Sequence, residues 1–250
     1  MVGIIGYIGR EEATPILLRG LKNLEYQDYD SLGLATLSDS LNICKGVGKM
    51  EKTVKNRDLT MFEGNIGIAH IRRATHGRIC GANAHPHTDC KNRVAIVHNG
   101  IIENYRELKE QLIDVGHVFS SSTDSEVVAH LIEEGLEANM SFEKACVDAF
   151  KKLQGSYALL AISEGTRRVV AVRKDLPLVI GLVEGGTVFA SDASVLRRLA
   201  HKALHLRNYD VAVACKREVV LSNLMKDVED CRNGEYRDRE GDGTTWSAIL

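Results

Sequence analysis

Several features that mark specialised chains are missing here. No stretch approaches the roughly eighteen apolar residues that a membrane-spanning helix needs, so no membrane partner is expected. No basic segment followed by an apolar one opens the chain, so no secretory signal is read. The formal net charge is only −2, which leaves no electrostatic footprint for nucleic acid. Three prolines occur in 250 residues, and no Pro- or Ser-rich linker divides the sequence. The six cysteines, at 44, 80, 90, 146, 215 and 231, lack the spacing of a disulfide framework. That pattern favours reduced thiols and a cytoplasmic setting. No internal repeat is present.

What is present suits a soluble globular fold: 44% hydrophobic and 26% charged residues. Helical periodicity is clear in ATPILLRGLKNLE, which places Ile16, Leu17, Gly20, Leu21 and Leu24 on one face. ENYRELKEQLIDVG ends at Gly116, a plausible stop. SEVVAHLIEEGLEAN and SFEKACVDAFKKLQG follow, the second with Ser141 as its cap. Strand-like runs are VGIIGYI, SLGLATL, GNIGIAHI, RVAIVHNG, YALLAIS, RRVVAVRK, LPLVIGLV, GTVFASD and YDVAVACKREVVL. Strands, then helices, then strands argue for an α+β layered fold. From about residue 222 the sequence turns polar and loses periodicity, so residues 222–250 read as an irregular tail.

Four stretches invite chemistry. GVGKM (46–50) lacks the hydroxyl of a phosphate loop and reads as a hairpin turn. THGRICGANAHPHTDC gathers His76, Cys80, His85, His87 and Cys90, but the spacing fits no zinc ligand pattern, so no metal is expected. In VHNGII, Asn99-Gly100 reads as a hairpin turn or, functionally, as two adjacent donors to an oxyanion. In SSSTDSE, Asp124 reads as a helix cap or as a fixed anion for a substrate ammonium. Arg72, in HIRRATHG, would pair with a carboxylate, and together Arg72 and Asp124 would suit an amino-acid zwitterion.

Taken together, GIIGYIG (3–9), EYQDYDS (25–31), GIAHIRRATHG (67–77), NAHPH (83–87), VHNGIIENYRELKE (97–110), GHVFSSSTDSEVVAHLIE (116–133), GSYAL (155–159), and PLVIGL with FASDAS (177–194) resemble a known family. It is the glutaminase domain of glutamine–fructose-6-phosphate aminotransferase, a class II N-terminal-nucleophile amidotransferase. The resemblance covers about residues 1–221 and implies a four-layer αββα sandwich. It implies that Arg72, Thr75, His76, Gly100 and Asp124 hold glutamine, and that Asn99 and Gly100 form the oxyanion hole. No cofactor is implied. The family reaction is hydrolysis of glutamine to glutamate and ammonia, which a sugar-isomerase domain then uses to make glucosamine 6-phosphate from fructose 6-phosphate.

The departures fall at the chemistry. The family has cysteine as its nucleophile where this chain has Val2, which has no nucleophilic atom. Gln27 and Asp28 replace an arginine and a glycine, and Arg73 stands where the family has tryptophan. A glycine-to-Asp28 change matters where the backbone needs positive φ. Cys80 and Cys90 are thiols without an α-amine, so neither copies the family mechanism. No isomerase domain is read after residue 221. The expectation is a catalytically impaired glutaminase-type domain that still binds L-glutamine. The alternative is a non-catalytic module that pairs with an active homologue or isomerase subunit, or with itself as a homo-oligomer.

Overall fold

The computed structural model describes residues 3–26, 28–50, 53, 62–74, 78–198, 200–216 and 218–225. Val2, Gln27, Thr75, His76 and the tail from 226 onward therefore lie outside the described residues.

The first sheet holds β1 (Gly3–Gly9), β2 (Ser31–Leu37), β3 (Leu41–Val47), β4 (Ile66–Arg72), β9 (Val179–Val183), β10 (Gly186–Ala190) and β11 (Lys202–His205). Their order is β11-β9-β10-β1-β4-β2-β3. The second holds β5 (His87–Thr88), β6 (Val94–Ile102), β7 (Gly155–Ser163), β8 (Val169–Lys174), β12 (Asp210–Cys215) and β13 (Glu218–Asn223). It runs β13-β12-β8-β7-β6-β5. Neighbouring strands in both sheets pair antiparallel.

Period-2 alternation sorts the side chains into layers. Along β1, Ile4 and Ile8 join Ile66 and Ile68 of β4 and Val97, Leu160 and Ile162 of the second sheet in the core between the sheets. Ile5 and Tyr7, on the opposite face, meet Leu17, Leu21 and Leu24 of helix α1 (Ala13–Leu24). Gly20 lets this helix approach closely, since a Cβ there would sit 2.9 Å from Ile5. The outer face of the second sheet is covered by α2 (Tyr105–Asp114), α3 (Glu126–Glu137) and α4 (Phe142–Lys151), which bury Leu108, Val128, Ile132 and Phe150 against Ile96, Leu159 and Val172. The result is helix, sheet, sheet, helices: the four-layer α+β arrangement.

The helix signals hold locally. Ser141 caps α4, its side chain accepting from the Lys144 N–H at 3.3 Å. Gly116, just beyond α2, takes φ +104°. The run YDVAVACKREVVL is two strands, β12 and β13, paired with each other. β3, β5 and β11 had no clear sequence signal. β3 and β11 are partly exposed edge strands, and β5 has two residues, so little burial imposes a pattern on any of them. Among the described residues GVGKM joins no pair of strands: β3 ends at Val47, and Gly48, at φ +106°, donates its N–H to the Asp30 carbonyl at 2.7 Å. Among the described residues, no helix is long and apolar enough to cross a membrane.

Candidate active site

The core between the sheets turns polar at one end. On β4 the residues facing it are Ile66 and Ile68, and the same period carries His70 and Arg72 to that face. On β6, Ala95 and Val97 face inward and Asn99 follows them. Where the two strands run out of apolar residues, a cavity of about 310 Å³ opens. Its walls carry His70, Arg72, Arg73, His85, His98, Asn99, Gly100, Thr123, Asp124 and Ser125.

Asn99-Gly100 is no turn. Both residues lie inside β6 and pair with Ala158 and Tyr157 of β7. Gly100 adopts φ +126°, and a Cβ there would stand 2.0 Å from the Ser156 carbonyl oxygen. Only glycine fits at this point on the cavity wall.

Asp124 does not cap its helix. The N-cap of α3 is Ser125, with no side-chain capping bond. Asp124 instead accepts the Ile102 N–H at 2.8 Å, and Ser125 Oγ lies 2.8 Å from His98 Nδ1. The loop before α3 is thereby fastened to β6. Asn83 fastens it again, accepting the Ser122 N–H at 2.9 Å. Glu126 accepts the N–H groups of Ser120 and Ser121 at 2.7 and 2.6 Å. Burial alone would raise the Glu126 pKa; the nearby His130 ring and hydrogen bonds from Ser121 and Ser120 outweigh it and hold the carboxyl well below the usual range.

Arg72 is buried, with Nη1 3.7 Å from Asp30 Oδ1. Asp30 also accepts the Ala74 N–H at 2.5 Å and the Ser31 hydroxyl at 2.8 Å. The cavity therefore presents a fixed cation and a fixed anion at separate places on its wall.

Three buried histidines, His70, His85 and His98, line the same cavity, and His87, also buried, lies against His85. His70 and His85 have ring centroids 4.2 Å apart, and His85 and His87 4.5 Å. Burial pushes the His70 pKa down to about 3, opposed by its bond to Asn99. Burial also lowers His85 well below its ordinary value, helped by His70, His87, His98 and Arg72. His87 is lowered well by burial and by Lys45, against Glu126, and His98 by burial against Asp124. All four are neutral at physiological pH, so they add hydrogen-bonding groups without adding charge.

Of the residues expected at the site, Arg72, Asn99, Gly100 and Asp124 share this cavity, and Arg73 lines it too. Asp28 lies elsewhere: its side chain is 83% exposed and pairs with Lys49 at 3.3 Å. Val2, Gln27, Thr75 and His76 are among the residues not described. The sequence reading missed His70, His98 and Ser125. The signal for the first was its place two residues before Arg72 on a strand, and for the second its adjacency to Asn99.

Two antiparallel sheets between helical layers, with the cavity at one end of the sheet interface, define an N-terminal-nucleophile amidotransferase fold. Glutamine phosphoribosylpyrophosphate amidotransferase from B. subtilis superposes on 90% of this chain and 50% of its own, with a TM-score of 0.79 at 25% identity. The chain belongs to the glutamine amidotransferase domain family, whose sequence profile matches residues 71–198. It is 45% identical over 227 residues to glutamine–fructose-6-phosphate aminotransferase [isomerizing] of Pyrococcus horikoshii, covering 90% of this chain and 38% of that protein. The enzyme of the same description from Methanococcus maripaludis is 41% identical over 252 residues, covering 98% of this chain and 41% of that protein. The chain thus spans about two-fifths of the length of these curated relatives.

Proposed function

We propose that this domain binds L-glutamine and hydrolyses it poorly, because valine occupies the nucleophile position. The observation that carries the binding half is the common cavity of Arg72 and Asp124. A guanidinium and a carboxylate lining one cavity match the α-carboxylate and α-ammonium of an amino acid. The side-chain amide would then reach toward Asn99 and Gly100, whose donors suit the oxyanion that forms when the amide carbon is attacked.

In the family mechanism a cysteine thiolate attacks that carbon, ammonia leaves and water releases glutamate from the thioester. Val2 offers no atom for the first step. Water attack assisted by the oxyanion donors would leave a residual rate, orders of magnitude down. The first described residue, Gly3, pairs with Ile71, between the cavity residues His70 and Arg72. A cysteine bonded to Gly3 is thus the natural probe. Delivery of ammonia to fructose 6-phosphate, the reaction named for the longer relatives, would require an isomerase partner; residues 1–221 would form the glutaminase unit and 222–250 the tail.

Calorimetry with L-glutamine, and a glutaminase assay of the chain and its Val2→Cys variant with Met1 removed, test this reading. Binding at millimolar glutamine with negligible turnover, and a large gain in Val2→Cys, are expected. Absence of binding heat refutes the glutamine site and favours the interaction-module alternative. Family-like turnover of the unaltered chain refutes the impairment.

A further inference from the structure

Away from the cavity, four side chains from three separate segments converge. Cys90 lies in the turn between β5 and β6, His117 follows the end of α2, and His130 and Glu133 sit three apart on one face of α3. Cys90 Sγ is 3.5 Å from His117 Nδ1 and 3.5 Å from His130 Nδ1. The two Nδ1 atoms are 3.2 Å apart, and Glu133 Oε2 is 3.0 Å from the first and 3.3 Å from the second. All four atoms lie within 4.8 Å of one another.

Five of the six separations, 3.0 to 3.5 Å, come close to the edges of a coordination tetrahedron. Zinc–nitrogen and zinc–oxygen distances near about 2.0–2.1 Å and a zinc–sulfur distance near about 2.3 Å require edges of roughly 3.3–3.6 Å. We propose that Cys90, His117, His130 and Glu133 form a structural zinc site.

The surroundings have the form of an outer coordination sphere. With both Nδ1 atoms on the metal, each Nε2 carries the proton. His117 Nε2 lies 2.8 Å from Glu134 Oε1, and the buried His130 Nε2 faces Glu126 Oε1 at 3.6 Å with no closer acceptor. The sulfur accepts the Val118 N–H at 3.4 Å, and Glu133 Oε2 accepts the Cys90 N–H at 3.1 Å. A thiolate and a carboxylate supply the two negative charges that neutralise a divalent cation, and the thiolate and imidazoles favour zinc over calcium or magnesium. Four protein ligands leave no open position, so the role is structural. The ion would tie the β5–β6 turn and α3 to the start of the loop that ends in Asp124. The expectation of no metal came from residues 76–90 read alone, whereas three of these ligands lie beyond them.

The test is elemental analysis of chelator-free protein, before and after reconstitution with zinc alone, beside Cys90→Ser and His117→Gln. The intact chain is expected to hold about one zinc, each variant far less than half as much, and zinc removal to lower the melting temperature by several degrees. Cobalt substitution gives a readout independent of variant folding: the intact chain should show the near-ultraviolet thiolate-to-cobalt band and the strong visible bands of tetrahedral coordination. A zinc content near zero after reconstitution overturns the proposal, as does equal zinc in the variants or a cobalt spectrum without the thiolate band.

Discussion

His70 and Asn99 join the two sheets through a single hydrogen bond, His70 Nε2 to Asn99 Oδ1 at 2.9 Å. The amide oxygen of Asn99 can only accept, so His70 Nε2 is the nitrogen that carries the proton and donates. That fixes which way the amide faces: the oxygen is turned to His70, and the NH₂ group is directed elsewhere. An oxyanion hole needs a donor, so this bond sets the polarity that the proposed chemistry requires. His70 is a positioning residue in that scheme.

In the Val2→Cys background, Asn99→Ala should lower kcat by about 10²–10³, the loss typical of a missing oxyanion donor. His70→Ala should cost less, since the amide remains but loses its orientation. Steady-state glutaminase assays of the two double variants check this. An Asn99→Ala rate equal to that of its parent would remove Asn99 from the oxyanion role.

Asp124→Asn keeps an acceptor for the Ile102 N–H and deletes the charge. Glutamine affinity should fall about tenfold to a hundredfold, the value of a charge-assisted hydrogen bond, with little change in melting temperature. Arg72→Lys should weaken binding similarly, because an ammonium cannot reproduce the bidentate fork. Calorimetric titrations decide both; unchanged affinity in Asp124→Asn would place the ammonium elsewhere.

The layers were legible because burial enforces period. GIIGYIG and GIAHIR read as near-continuous apolar runs since both faces of their strands pack against something, and His70 and Arg72 inherit their place from Ile66 and Ile68 through the strand's period of two. Edge strands such as LNICKGV carry no such constraint. Local motif rules misled where tertiary contacts override them. Asn99-Gly100 has hairpin composition, yet it lies in mid-strand because the cavity wall needs a glycine at positive φ. Asp124 has the look of a cap, but the Ile102 N–H of another element claims its carboxylate. The Cys90 cluster was not legible at all: its members come from a turn, a loop and a helix that only the fold brings together.

Gly100→Ala should destabilise the domain by at least about 2 kcal/mol, combining strained backbone with a displaced neighbour. The neighbour is the Ser156 carbonyl, 2.0 Å from where the methyl would sit, so relief requires moving β7. Gly116→Ala is the control: it too has positive φ, +104°, but nothing lies within 4 Å of its added methyl. Denaturant unfolding of the pair should separate strain from collision, with Gly100→Ala much the worse. Equal losses would mean the Ser156 contact is easily relieved.

Mild acid should unfold this protein through its buried histidines. Burial lowers the pKa of His70, His85, His87 and His98 in the native state, while in the unfolded chain each returns to about 6.5. Above that value both states are neutral and the histidines cost nothing. Below it the unfolded chain takes up protons that the native state refuses, so stability falls with pH by up to about 1.4 kcal/mol per unit for each histidine. For His70 the loss continues until the pH reaches about 3, where the native ring also protonates. Glu126, lowered in the native state, acts in the same direction at more acidic pH. Arg72 and Lys45 reinforce the effect, while Asp124 and Glu126 partly offset it at His98 and His87. Urea midpoints measured from about pH 7.5 down to about pH 5.5 should fall steeply, by several kcal/mol of unfolding free energy in all. His85→Gln, which removes one proton-refusing ring from the centre of the cluster, should flatten that slope even where it lowers stability at neutral pH. A midpoint that stays constant across the range would show that these rings take up protons as readily in the native protein as in the unfolded chain.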